Sequence, residues 1–340
     1  MKTFRMFGFV LALGLLSSAA ANAQSAANFY KDKQLTMVIG FGAGGGYDAW
    51  ARALARHMGK HIPGNPSLVP QNMPGAGSLV AANHIYNVAP KDGSVIGIIA
   101  RDAPLAPLTG NANAKFDALK FIWLGSPTTE TNVCVTHKNS GVKTFAEAQQ
   151  KELILGETGP GTGTHTYPLV LNAILGTKFK LVAGFPSSSQ VFLAIERGEV
   201  YGICESLDSV MRRKADWVKN GTLILLVQGG AEPHDSIKNV PFILDLAKTD
   251  EQKQALNFVY SGQGIGRPFV APPGLPADRV KALRDAFDAT MKDPEFIADT
   301  KKQKLDVEPV NGDKIGAILK SLYATPKPIV EKIGKILESK

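Results

Sequence analysis

The residues of this chain best suited to chemistry are small ones. Gly40-Phe41-Gly42-Ala43-Gly44-Gly45-Gly46-Tyr47-Asp48 joins an apolar run, Leu35 to Ile39, to a segment whose apolar residues Ala51, Leu54, Ala55 and Met58 recur with helical spacing. That order reads as a buried strand, a glycine-dense turn and a helix. Glycines without side chains let an anion approach the free N–H groups of a first helical turn. Asp48 stands at the helix start, where a carboxylate accepts backbone N–H bonds and complements the helix dipole. Phe41, Gly44, Gly45, Gly46, Tyr47 and Asp48 form the first candidate ligand-binding set. Two cofactor readings of the same stretch fail. Gly40, Gly42 and Gly45 satisfy G-x-G-x-x-G, but no Asp or Glu occurs from Ala49 to Lys91, where a dinucleotide fold needs one for the ribose. No Lys-Ser or Lys-Thr follows the glycines, as a P-loop requires. No cofactor is expected.

The same logic recurs downstream. Leu153–Gly156 runs through Glu157-Thr158-Gly159-Pro160-Gly161-Thr162-Gly163-Thr164-His165 into a helix ending near Leu175. Phe179–Val182 runs through Gly184-Phe185-Pro186-Ser187-Ser188-Ser189 into a helix over 190–197. The candidates here are Gly159, Gly161, Thr162, Gly163, Thr164 and His165, then Phe185, Ser187 and Ser188. The threonine hydroxyls can donate to an oxyanion or cap their helix. A further turn, Pro74-Gly75-Ala76-Gly77, reads as loop chemistry.

His165 raises an enzymatic alternative, an exported hydrolase acting on a small acidic or ester substrate through His165 and Thr162 or Thr164. There is no G-x-S-x-G elbow and no H-E-x-x-H, so His165 reads better as a structural or ligand-orienting donor, and no catalytic residue is assigned. His57 and His61 are spaced to share a helix face, but Gly59 ends that helix and no carboxylate lies close in sequence. No metal is expected. Cys134 and Cys204 are the only cysteines, and both lie in strand-like apolar segments. Export would permit a disulfide between them, with two buried thiols as the alternative.

Larger features must position these turns. Lys2 and Arg5, an apolar run from Phe7 to Leu16 and Ala21-Asn22-Ala23 compose a secretory signal peptide over 1–23, implying export to the periplasm without a membrane anchor. Its removal takes away two cations and lowers the net charge from +8 to +6. No Lys/Arg run suggests a nucleic-acid partner, and a mildly positive field favours encounter with anionic small molecules. The 340-residue length suggests two domains. Alternating strand and helix patterns indicate an α/β fold with mostly parallel sheets. One lobe is expected over 24–122 and 232–340 and the other over 123–231, with two crossing segments forming a hinge beside a cleft.

These segments together resemble a family. Phe41-x-x-Gly44-Gly45-Gly46-x-Asp48-x-x-Ala51-Arg52, then Asn72-x-Pro74-Gly75-Ala76-Gly77 with Pro90-x-Asp92-Gly93, and Gly159-x-Gly161-Thr162-x-x-His165 are similar to the periplasmic substrate-binding proteins of tripartite tricarboxylate transporters, the Bug family of receptors. The resemblance covers nearly the whole chain after residue 23. It implies a two-lobed Venus-flytrap fold that captures a small organic acid, acts as a monomer and delivers its ligand to membrane transporter subunits. The strand-to-helix loops of both lobes would hold the carboxylate, with His165 supporting the second. One departure stands at the third loop, where the family often has Val-Pro-Tyr-x-Gly. Here Phe185 takes the tyrosine's place and the hydroxyl is missing.

Overall fold

A computed structural model describes residues 26–338; the signal peptide read over 1–23 lies outside them. Eleven strands divide between two sheets. The first contains β1 (Gln34–Ile39), β2 (Ser67–Asn72), β3 (Val95–Ile98), β4 (Ile122–Ser126), β10 (Phe269–Ala271) and β11 (Val310–Asn311), in the order β11-β4-β10-β3-β1-β2. The second contains β5 (Asn132–His137), β6 (Leu153–Gly156), β7 (Phe179–Val182), β8 (Gly202–Ser206) and β9 (Leu223–Gly229), in the order β7-β6-β8-β5-β9. The chain therefore passes from the first sheet to the second after β4 and returns before β10.

Both sheets are mixed rather than mostly parallel. β1 pairs parallel with β2 and β3, and β6 with β7 and β8, as strand–helix–strand crossovers require. The antiparallel pairings all involve β4, β5, β9 or β10, the strands that adjoin a passage between lobes. β5 and β10 enter their sheets from the other lobe, and β4 and β9 are the strands from which the chain departs. Periodicity reports that a segment is a strand and is blind to its direction.

Two further placements differ from the sequence pattern. Phe121–Gly125 reads as the head of the second block, yet Ile122–Ser126 hydrogen-bonds to β10 and β11 in the first sheet. The helices Asp250–Tyr260 and Lys327–Glu338, distant in sequence from the second lobe, pack on its helix Gly163–Leu175. The apolar stripe of the last helix carries Ile329 and Ile333, both buried. A stripe announces that a helix needs a partner and does not say which one.

The core of the first lobe surrounds Trp50, Leu54, Met37, Ile39, Phe269 and Phe287, all fully buried. Val133, Val135, Val191, Ile195 and Ile203 fill one face of the second sheet. Cys134 and Cys204 sit directly opposite each other across β5 and β8 and are joined as a disulfide.

Candidate ligand-binding cleft

Three helices begin on one small cavity between the lobes. Gly46–His57 starts from Gly45, Gly163–Leu175 from Thr162 and Ser188–Arg197 from Ser187, and none of these starts has a side-chain capping bond. Elsewhere Thr144, Ser206, Thr249, Asp293 and Asn311 do cap their helices. The first N–H groups of a helix have no intrahelical acceptor, and the dipole makes them an anion site. All three starts line the cavity, with Gly45, Gly46 and Tyr47 on one wall and Thr162, Gly163, Thr164, Ser187 and Ser188 on the other.

The cavity encloses about 30 Å³, nearer the space that holds water than the space an organic acid fills. The lobes are drawn together over it. The Gly42 N–H donates to Pro186 O at 3.2 Å, Ser189 Oγ to Gly44 O at 2.7 Å, and Arg213 Nη2 to the same carbonyl at 2.9 Å. Below, the fully buried Arg267 donates from Nε to Glu130 Oε1 at 2.5 Å and from Nη2 to Ser209 Oγ at 3.2 Å, while its guanidinium lies 4.4 Å over the Tyr47 ring. A Cβ at Gly46 would overlap Arg267 and Ser209, so this approach needs glycine.

The first-lobe wall is built by a carboxylate that faces away from the cavity. Asp48 accepts from the Gly44 N–H (2.9 Å), Arg52 Nε (2.9 Å) and Asn72 Nδ2 (2.9 Å), and Asn72 Nδ2 also donates to Phe41 O at 2.8 Å. Burial opposes its charge, but these donors prevail and hold the carboxyl below its ordinary range. Phe41 and Tyr47 stack with centroids 4.3 Å apart, and the Tyr47 hydroxyl accepts from the Arg101 N–H at 3.0 Å.

The second-lobe wall is a hydroxyl cluster. Thr158, Thr162 and Thr164 join Oγ1 to Oγ1 at 3.2, 2.9 and 2.8 Å, and Thr164 Oγ1 also accepts from the Thr158 N–H at 2.9 Å. Glu157 braces this loop from outside, accepting from the Gly159 N–H at 3.1 Å and lying 2.9 Å from His165 Nδ1.

Of the sequence candidates, Phe41, Gly45, Gly46, Tyr47, Thr162, Gly163, Thr164, Ser187 and Ser188 line the cavity. The others fall outside its wall. Gly44 and Asp48 tie the first loop from behind. Gly161 and His165 face a separate space of about 320 Å³ between the second-lobe loop and the last helix. Gly159 shapes the same loop with a positive φ of 110°. Phe185 is half-buried against the second-lobe core, near Gly156 and Val191. Thr158 also lines the cavity from within the second glycine-rich turn; Arg101, Asn132 and Glu205 line it and carry no local motif, since each stands alone at the end of a strand or in a loop.

The histidines also find partners that sequence distance hides. His57 Nε2 lies 3.0 Å from Asp299 and His61 Nε2 3.0 Å from Asp293. His57, Asp293 and Glu295 are close enough to share a cation, but Lys60 Nζ already sits between the two carboxylates, 2.7 Å from Asp293 and 2.5 Å from Glu295. An ammonium there opposes a second cation. Among the described residues no helix is long and apolar enough to cross a membrane.

Comparison with known proteins gives the family and the fold. Residues 50–335 match the tripartite tricarboxylate transporter family receptor. The UPF0065 protein in the gbd 5′ region of Cupriavidus necator is 27% identical over 340 residues, covering 96% of this chain and 95% of that one. In fold the chain is similar to the periplasmic binding protein BugD (TM-score 0.72, 18% identity, 90% of this chain and 99% of that one). It is equally similar to MatC from Rhodopseudomonas palustris with bound malate (TM-score 0.70, 17% identity, 90% and 99%). The chain belongs to the tripartite tricarboxylate transporter receptor family.

Proposed function

We propose that this receptor captures a small organic carboxylate in the periplasm, between lobes hinged where the chain crosses after β4 and before β10, and presents it as a monomer to membrane transporter subunits. The observation that carries the reading is the meeting of three uncapped helix starts at one cavity. A carboxylate there gains about 0.3–2 kcal/mol from each dipole and about 1.5–3 kcal/mol from each charge-assisted N–H bond. The malate bound to MatC and the adipate bound to another R. palustris protein of similar fold support the ligand class.

Closure follows from the same groups. The two walls belong to different lobes, so their donors converge on one carboxylate only when the cleft is shut. Shutting it also buries Arg101 Nε and Nη1, Asn132 Nδ2 and Glu205 Oε2 without hydrogen-bond partners, although Arg101 Nη1 lies 3.8 Å from Glu130 Oε2. Each such group costs about 1–3 kcal/mol unless something in the cavity pairs with it. The ligand thus favours the closed form because it binds that form better.

The hydrolase alternative finds no support in the contacts of its candidate residues. His165 Nδ1 is engaged by Glu157, and the threonine hydroxyls bond to one another and to Gly159 O rather than to the imidazole. Calorimetric titration with mono- and dicarboxylates tests the proposal. Stoichiometric binding with the acid recovered unchanged is expected; turnover of the acid, or no binding by any carboxylate, would contradict it.

A further inference from the structure

Anion cradles do not explain a buried acid in their wall. Glu205, at the end of β8, is 7% exposed and lines the same cavity as the three helix starts. Its Oε2 is buried with no hydrogen-bond partner. No neighbouring cation hydrogen-bonds to Oε2. Arg213 donates to Gly44 O and Ser209 O while feeling Glu205 as its strongest ionic neighbour, and Arg212 feels Asp208 more strongly than Glu205. Arg267 is committed to Glu130 and the Ser206 and Ser209 hydroxyls. Across the cavity, Arg101 Nε and Nη1 make no hydrogen bond, Nη1 lying 3.8 Å from Glu130 Oε2, and Asn132 Nδ2 makes none either. The charged residues of this cavity wall are therefore one cation from the first lobe and one anion from the second.

We propose that the ligand is a zwitterion: a small amino acid or similar ammonium carboxylate, whose carboxylate meets the helix starts and Arg101 and whose ammonium meets Glu205. The assignment rests on the carboxylate reading above and narrows it. A bare carboxylate would satisfy the N–H groups and leave Glu205 Oε2 buried without a hydrogen-bond partner and facing a second acid. An ammonium turns that arrangement into a charge-assisted hydrogen bond, and its addition leaves the net charge of the cavity unchanged. Lone amines should be excluded, because they leave the helix starts unpaired.

The test is calorimetry of the unmodified protein against matched probes: the standard amino acids, their des-amino acids and their decarboxylated amines. Binding of one amino acid about tenfold or more tighter than its des-amino acid, with no binding of the amine, is expected. Glu205→Gln should cost the amino acid about tenfold or more while leaving des-amino acid binding equal or stronger. Equal or tighter binding of des-amino acids by the unmodified protein overturns the zwitterion assignment and leaves the carboxylate reading standing. Failure of every carboxylate, amino or not, overturns both. A Glu205→Gln protein that weakens both probe classes equally also counts against an ammonium at Glu205.

Discussion

The two walls of the cleft solve one problem with different materials. The first-lobe wall presents a glycine backbone beside Phe41, Tyr47 and Arg101, and that backbone is fixed from behind by Asp48, Arg52 and Asn72. The second-lobe wall is made of hydroxyls that bond to one another, backed by Glu157 and His165. Backbone N–H groups cannot rotate, so the first wall defines a place for charge. Hydroxyls can turn as donor or acceptor, so the second wall, with Asn132 and Glu205, can adapt its hydrogen bonds in a way the first cannot. The charged residues lining the cavity are opposite in sign, Arg101 on the first lobe and Glu205 on the second.

That contrast can be broken from the first lobe most severely. Arg101→Ala removes the cation of the cavity wall, and the affinity for the best carboxylate should fall by about 2–5 kcal/mol, read by calorimetry. The second lobe answers to its disulfide. Reducing Cys134–Cys204 should lower unfolding stability by about 2–4 kcal/mol, and thiol titration of denatured, unreduced protein should find no free thiol. Two thiols per chain would remove the bridge from the account.

Gly45→Val separates backbone access from folding. The Cβ at Gly45 meets only ordinary contacts, the nearest at 3.7 Å. Thermal unfolding should change little, while crowding at the cavity costs affinity about 1–3 kcal/mol. Retained affinity in a folded variant would take the first loop out of the site.

The smallest effect concerns the brace. Asp48 has a folded pKa below its unfolded one, so its stabilisation is present above the unfolded pKa and disappears as pH falls through the folded value. Asp48→Asn should therefore lose about 1–3 kcal/mol near neutrality, and the gap to the unmodified protein should close in acid. A difference that persists unchanged at low pH would mean the carboxylate charge is not what holds the loop.

The sequence made the cradles legible because glycine-rich strand-to-helix turns are local patterns. The same locality misplaced some members. Asp48 looks like a ligand group because it begins a helix, yet its partners Asn72 and Gly44 turn it away from the cavity. His165 follows a cradle but faces the opposite side of its helix start. Arg101, Asn132 and Glu205 were invisible, since each is a lone polar residue and only the closing of two sheets brings them together. Strand direction and the destination of the last helix were hidden for the same reason: periodicity shows the buried face and not its partner.

The central claim is that one carboxylate pairs with both lobes and thereby shuts the cleft. Small-angle scattering of the protein with and without its tightest-binding acid tests it most directly. The account predicts a smaller radius of gyration at saturation than in the ligand-free protein; an unchanged radius at saturation would contradict it.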